Sequence, residues 1–149
     1  MTGLFHKPKR NLRKLIKQGD FEEAIALGNS MEEKYRYDPD FIFIMASIFY
    51  ILQDPKKTLQ YIDRVLEINE YDTEALGLKL RVHQHFKENT KVIECCKKIL
   101  EVDSDAFEVR NILNELERKC SYANSFFPEH LSLNTHFLKA SHRILLLCL

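Results

Sequence analysis

The sequence predicts an all-α fold in which pairs of helices stack into a repeat array, and three observations support this. Residues 58–69 and 92–103 carry the same pattern, with residue numbers that differ by 34. The apolar residues that coincide are Leu59 with Ile93, Ile62 with Cys96, Val65 with Ile99, Leu66 with Leu100, and Ile68 with Val102. Within each copy they recur at steps of three and four, which indicates an amphipathic helix. The low content of glycine and proline, four of each, also favours helices. A period of this length is typical of stacked units, because one unit cannot bury its apolar face alone.

The predicted helices follow one another along the chain, beginning near Pro8, a residue that suits a helix start. We expect helices over residues 11–17, 21–35, 40–52, 56–69, 74–86, 91–102 and 106–119. Gly19 and Asp20 end the first, and Asp72 or Thr73 caps the fifth. The third is so apolar that its composition alone would also suit a strand, but its place in the period makes it a helix packed on both sides. We also expect about three extra residues near positions 34–37, because Asp38 precedes Asn69 by less than a full period.

The C-terminal part departs from the period. Pro128 would break the next return helix in its interior, so residues 120–149 are predicted to form an irregular capping segment. Its apolar residues recur at helical spacing over 129–149: Leu131, Phe137, Leu138, Ile144 and Leu145. We expect a helix there that packs on the last repeat helix. Two alternatives are that this segment folds into a binding groove and occludes it, or that it pairs with a second chain.

The repeated pattern and its helix pairs resemble the tetratricopeptide repeat (TPR) family, whose unit is a 34-residue helix–turn–helix. The segment 18–25 is similar to the family's turn and second-helix start, and Asp38-Pro39 is similar to its closing pair. Ala46 fills a place the family gives to a small residue, whereas Thr58, Leu80 and Val92 depart from such places. The resemblance covers about residues 5–119. It implies an α-solenoid of units near 5–38, 39–72 and 73–106, followed by a half unit at 107–119.

The resemblance also implies a concave groove that binds an extended peptide along the first helix of each unit. The groove positions are Lys9, Arg10, Arg13 and Lys17; then Phe43, Ile44, Ser47, Tyr50 and Ile51; then Glu74, Leu78, Arg81, Gln84 and His85. Cations at one end and apolar residues beyond them suit a peptide with an apolar anchor and an acidic flank. The alternative is that Phe43, Ile44 and Ile51 are core residues beneath the C-terminal segment.

Some TPR proteins clamp the acidic carboxyl-terminal tail of a chaperone with Lys and Asn residues. Lys9 fits that pattern, but the other clamp places hold Arg13, Ile44, Glu74 and Leu78, so we do not expect this function. Six cations precede the first acid, Asp20. They are Lys7, Lys9, Arg10, Arg13, Lys14 and Lys17. Without interleaved aromatic residues, and with 22 basic against 22 acidic residues overall, a solvated helix face explains them better than nucleic-acid binding.

The sequence carries no pattern for catalysis, a cofactor or a metal. The six histidines include no pair at i,i+4, and the four glycines are isolated. The four cysteines lack a C-x-x-C motif, so we interpret them as reduced thiols of a cytoplasmic protein, with Cys96 in the core and Cys95 exposed. The longest apolar run, residues 41–52, is too short to span a bilayer, and we expect no signal peptide.

Three classes of function remain open. The first is a non-catalytic protein-interaction module or adaptor. The second is a structural subunit or homodimer that assembles through the apolar C-terminal segment. The third, an RNA-associated adaptor, depends only on the basic first helix.

Overall fold

The computed structural model describes residues 8–125, which form seven α-helices and contain no strand. The helices are α1 (Pro8–Gln18), α2 (Phe21–Tyr35), α3 (Pro39–Ile51), α4 (Pro55–Ile68), α5 (Thr73–His85), α6 (Asn89–Val102) and α7 (Phe107–Ser125). The predicted all-α fold is therefore confirmed. Proline begins three of these helices, where its missing N–H costs nothing and its fixed φ suits the first turn.

The repeat period is visible in the backbone of three turns. Gly19, Gln53 and Lys87, which follow one another at intervals of one period, have positive φ angles of 84°, 58° and 58°. The residue after each donates its N–H to a carbonyl five residues earlier: Asp20 to Leu15 (3.0 Å), Asp54 to Phe49 (2.9 Å) and Glu88 to His83 (3.0 Å). This bond, with a left-handed residue inside it, ends a helix in the Schellman motif. The same turn therefore closes α1, α3 and α5.

The expected insertion near residues 34–37 is wrong. Asp38 accepts the N–H of Phe41 (3.0 Å), and Asp72 accepts the N–H of Ala75 (2.9 Å), so both aspartates cap the start of a helix. They stand one full period apart, which leaves no room for extra residues between equivalent points. The error came from matching Asp38 with Asn69, which lies at the end of α4 rather than at the start of α5.

The last described helix is longer than expected, since α7 extends to Ser125, beyond the predicted end near Lys119. No glycine or proline occurs between those two positions, and Pro128 is the next residue that would stop a helix. The predicted helix over 129–149 lies outside the described residues. The proposed unit boundaries and the capping segment stay predictions.

The chain divides into two compact units, whose described parts are residues 8–75 and 76–125. In the first unit α1 packs on α2 and α3, α2 packs on α3, and α3 packs on α4. Its central helix is α3, in which seven residues are buried: Phe41, Ile42, Ile44, Met45, Ala46, Ile48 and Phe49. Burial around most of its circumference explains why α3 lacks the polar face of its neighbours.

Gly28 allows α2 and α3 to approach each other closely. Ala24 and Ala46 are both fully buried. A Cβ atom built on Gly28 would lie 2.4 Å from Sδ of Met45, so only glycine fits there without a shift of that side chain. The place of Ala24 is taken by Thr58 in α4 and by Val92 in α6, and both are also buried.

In the second unit α6 packs on α7 and buries Val92, Cys95, Cys96 and Ile99. The expectation that Cys95 is exposed is wrong. Cys95 follows Val92 by three residues and precedes Ile99 by four, so it belongs to the same apolar stripe as Cys96. Neither thiol takes part in a disulfide, and burial together with the neighbouring Cys95 raises the pKa of Cys96 to about 11. Among the described residues, no helix is long and apolar enough to cross a membrane.

Candidate functional site

The predicted cations on α1 divide into two groups. Arg10, Arg13 and Lys17 are exposed. Lys9 is held by two carboxylates: its Nζ lies 2.8 Å from Oδ2 of Asp38 and 3.2 Å from Oδ2 of Asp40. Because Asp38 also caps α3, this ion pair ties the start of α1 to the start of α3. A ligand that needed the charge of Lys9 would have to compete with both acids.

The Lys9 contact shifts the titration of both partners. The hydrogen bond to Asp38 outweighs burial and raises the pKa of Lys9 above its usual value. Burial opposes ionisation of Asp38, but the hydrogen bonds from Lys9 and from the N–H of Phe41 prevail and leave its pKa lowered. Each group therefore favours the charged form of the other.

The predicted groove residues on α3 run from buried to exposed. Ile44 is 5% exposed, and Phe43 and Ser47 are half-buried, with the Ser47 hydroxyl donating to the Phe43 carbonyl (2.9 Å). Tyr50 and Ile51 are 40% and 48% exposed. The core alternative therefore describes Ile44, while Ile51 remains open to solvent.

The predicted positions on α5 are similarly mixed. Leu78 is buried, whereas Arg81, Gln84 and His85 are exposed. The His85 ring meets Phe86 edge-on, with ring centroids 5.2 Å apart. Glu74, at the start of α5, is exposed and carries a negative charge.

These residues occupy recurring positions in the period. The rows are Arg10, Ile44 and Leu78; Arg13, Ser47 and Arg81; and Lys17, Ile51 and His85, each at steps of one period. In the first row Ile44 and Leu78 are buried. In the other two rows every residue is exposed except Ser47, which is half-buried. In the first unit α1 packs on α3. The second row therefore combines Arg13 on α1 with Ser47 on α3, and the third combines Lys17 with Ile51.

Exposed large apolar side chains in residues 8–125 occur at helix ends and turns. They are Tyr37, Tyr50, Ile51, Leu52, Ile68, Tyr71, Phe86, Val102 and Phe107. Three of them, Tyr50 to Leu52, are consecutive and lie at the C-terminal end of α3. The apolar contact area on α3 is therefore concentrated at that end.

A polar cluster that the sequence reasoning missed lies at the turn after α5. Nδ1 of the buried His83 lies 2.5 Å from Oε2 of Glu88, whose other oxygen is 2.9 Å from Nζ of Lys91. Hydrogen bonds from Lys91 and His83 lower the pKa of Glu88, and Nε2 of His83 is buried without a hydrogen-bond partner. The available signal was that Glu88 stands one period after Asp54, at the same helix-start place.

A second missed cluster joins α2 to α4. Nη1 of Arg64 lies 2.6 Å from Oε1 of Glu32, and Nη2 donates to the carbonyl of Arg36 (3.2 Å). The Tyr61 hydroxyl lies 3.5 Å from the second Glu32 oxygen, and burial followed by the Glu32 charge raises its pKa. A surface cavity of about 330 Å³ opens beside these groups. Because Glu32 and Arg64 already pair with each other, we assign the cluster to holding the two helices together.

We find no candidate metal site among residues 8–125. No group of three or more His, Cys, Asp or Glu residues within it is arranged to hold an ion.

Comparison with known proteins bears on the fold. No protein-family model matches the sequence, and no curated protein matches it either. Among solved structures, the first TPR of Spaghetti (RPAP3) bound to the HSP90 peptide SRMEEVD is similar with a TM-score of 0.66 at 19% identity, over 76% of this chain and 90% of that one. The first TPR domain of human RPAP3 gives 0.64 at 18% identity, over 80% and 94%. The C-terminal TPR-containing domain of a Plasmodium falciparum protein described as an FK506-binding protein gives 0.62 at 15%, over 79% and 89%. With the recurring turns, these likenesses show that the chain has the fold of a TPR domain.

Proposed function

We propose that this chain is a non-catalytic protein-binding module, an adaptor without a cofactor that acts in the cytoplasm. It holds an extended segment of a partner protein against its first helices. The likeness to TPR domains supports the class of function, since one of the similar structures is bound to a peptide. The partner class, an acidic segment with an apolar anchor, comes from the side chains of this chain.

The observation that carries the proposal is the surface shared by α1 and α3 in the first unit. Arg10, Arg13 and Lys17 are exposed on α1, and Tyr50 and Ile51 are exposed on α3. Exposed cations attract an acidic flank and raise the rate of association. Exposed aromatic and aliphatic side chains supply the anchor contact, where most binding energy is concentrated.

The burial pattern narrows the predicted contact set. Ile44 and Leu78 are buried and contribute to the core rather than to a ligand, and Lys9 is engaged by Asp38 and Asp40. The proposed contacts are Arg10, Arg13, Lys17, Phe43, Ser47, Tyr50 and Ile51 in the first unit. Arg81 and His85 are exposed in the second unit, and their part in binding stays a prediction.

The same pattern argues against recognition of a carboxyl-terminal chaperone tail. Of the clamp places, Lys9 is paired, Ile44 and Leu78 are buried, and Glu74 carries an exposed negative charge. Only Arg13 offers an exposed cation. We therefore expect the peptide SRMEEVD to bind at least tenfold more weakly than an internal acidic segment with an aromatic anchor, a difference of about 1.4 kcal/mol.

Fluorescence anisotropy tests the proposal with labelled peptides, blocked at both ends, in which Leu, Phe or Tyr is flanked by two to four acids. The variant Arg10→Glu/Arg13→Glu is expected to bind about three- to tenfold more weakly and with a flatter salt dependence, because each exposed ion pair contributes about 0.2–1 kcal/mol. Tyr50→Ala should increase the dissociation rate. The control Lys87→Glu/Arg118→Glu reverses two exposed cations elsewhere. If the Arg10/Arg13 variant and its control bind the peptides equally well, the proposal that this groove binds them is wrong.

A further inference from the structure

The last helix carries an apolar strip that is less covered than its counterparts earlier in the chain. Val109, Ile112, Leu113 and Leu116 recur at steps of three, one and three along α7, and all four are half-buried. Among the described residues, every buried apolar side chain precedes α7. Covering the strip further would remove apolar surface from water.

The period supplies an internal reference for this strip. The residues two periods earlier, in α3, are Phe41, Ile44, Met45 and Ile48, and each is at most 5% exposed. The helix α3 reaches this burial because it packs against α1, α2 and α4, whereas α7 packs on α6. The same four places of a first helix are therefore closed in α3 and partly open in α7.

We infer that residues 129–149 of the same molecule dock along this strip on α7. The chain continues directly from Ser125, the last residue of α7, with 24 further residues. A helix of 19 residues is about 28 Å long, whereas 24 residues can span up to about 80 Å when extended. The segment therefore reaches every residue of the strip, and as part of the same chain it does so at high effective concentration.

The composition of the segment matches the surface that it covers. Leu131, Phe137, Leu138, Ile144 and Leu145 supply apolar side chains at steps suited to one face. The segment has a single acid, Glu129, and two cations, Lys139 and Arg143.

Charge complementarity favours this occupant. The turn between α6 and α7 exposes four acids: Glu101, Asp103, Asp105 and Glu108. The nearby Arg110 directs its guanidinium to the carbonyl of Ser104. Lys139 and Arg143 would meet this acidic turn and be attracted to it.

Photo-crosslinking of the full chain tests the inference without depending on peptide binding. Benzoylphenylalanine replaces Ile112 in the middle of the strip or Val109 at its end beside the acidic turn, both of which are half-buried. Irradiation should give crosslinks to residues 129–149 within a species of monomer mass, mapped by mass spectrometry. The same group at Asn114, an exposed position of α7, should give at least fivefold fewer. A crosslinked dimer, or crosslinks from Ile112 and Val109 that avoid 129–149, would overturn the docking.

Charge reversal provides the second arm. Lys139→Glu/Arg143→Glu is expected to reduce the crosslink yield from Val109 at least threefold, and salt at about 0.5 M should reduce the wild-type yield in the same direction. Lys87→Glu is the matched control, because it reverses an exposed cation in another turn. Helical circular dichroism confirms that the variants are folded. An unchanged yield in the folded double variant would overturn the charge pairing.

Discussion

Gln53 and Lys87 stand one repeat period apart and share the same left-handed backbone conformation, with φ equal to 58° at both. Each closes the turn between the two helices of a repeat unit, where the equivalent residue in the first unit is Gly19. Among the described residues, neither side chain makes a hydrogen bond or an ion pair that would compensate for this conformation. The two residues therefore keep a strain that glycine avoids at the same place.

Replacing either residue with glycine should stabilise the protein. The left-handed conformation costs a residue with a Cβ atom about 1–2 kcal/mol, and the greater chain entropy of glycine returns about 0.5–1 kcal/mol of that. We expect Gln53→Gly and Lys87→Gly each to raise the free energy of unfolding by about 0.5–1 kcal/mol in urea denaturation. Gln60→Gly, in the exposed middle of α4, should lower it by a similar amount. Loss of stability in both turn variants would contradict the interpretation of these turns.

Enlarging a small buried residue should have the opposite effect. Ala24 and Ala46 are fully buried, so Ala24→Leu or Ala46→Leu should lower the free energy of unfolding by about 1–3 kcal/mol through overpacking. Ala26→Leu is the control, because Ala26 is exposed on the same helix as Ala24 and should change stability by less than about 0.5 kcal/mol. Thermal or chemical denaturation distinguishes them, and equal midpoints for all three variants would show that the helix faces are misassigned.

The Lys9–Asp38 pair should make stability depend on pH at both extremes. The pKa of Asp38 is lowered, so its contribution is complete above its unfolded pKa of about 3.9 and is lost as pH falls through the folded value. The pKa of Lys9 is raised, so its contribution is complete below about 10.4 and is lost as pH rises through the folded value. Lys9→Met should cost about 0.2–1 kcal/mol between pH 5 and 9, since both side chains are about 30% exposed.

The difference between wild type and Lys9→Met should shrink below pH 4. Lys14→Met, on the exposed face of α1, is the control and should show no such convergence. A constant difference from pH 7 down to pH 2.5 would mean that packing, rather than the ion pair, accounts for the effect of Lys9.

Cys95 and Cys96 should resist thiol reagents in the folded protein. Both are buried, and with a pKa of about 11 only roughly one Cys96 thiol in a thousand is ionised at pH 8. In the variant Cys120→Ser/Cys148→Ser these are the two thiols that remain. Labelling with Ellman's reagent should detect neither in native buffer and both in guanidinium chloride. Rapid native labelling of either one would show that the α6 stripe is open to solvent.

The features that the sequence predicted correctly are encoded locally. Gly19-Asp20 and the Asp72 cap follow from turn and capping chemistry within a few residues, and the helices follow from apolar spacing. The insertion near residue 36 was mispredicted because one capping aspartate was assigned to the wrong end of a helix. Cys95 was misplaced because the buried stripe of α6 is wider than the apolar positions that coincide between the two copies, and it includes Cys95.

The candidate site was less predictable because its accessibility depends on tertiary packing. Ile44 and Ile51 are the same residue type and lie on a helix that is apolar on nearly all sides. Ile44 is nevertheless buried, whereas Ile51 is 48% exposed. Lys9 meets Asp38 from a distant part of the sequence, so no local pattern shows that its charge is already engaged. Periodicity could place these residues on helices, but it could not determine which of them solvent reaches.

The unequal residues at the place of Ala24, Thr58 and Val92 have a consequence for folding. Repeat chains are prone to pair one unit with the wrong neighbour, because a slip by a whole period preserves most apolar contacts. Here such a slip would bring a valine to a site shaped for alanine, or leave an alanine in a site shaped for valine. Overpacking costs about 1–3 kcal/mol, and the reverse change leaves a cavity. The smaller residue at position 24 thus distinguishes the first of these helices from the other two, and it disfavours an alignment in which that helix meets the wrong partner.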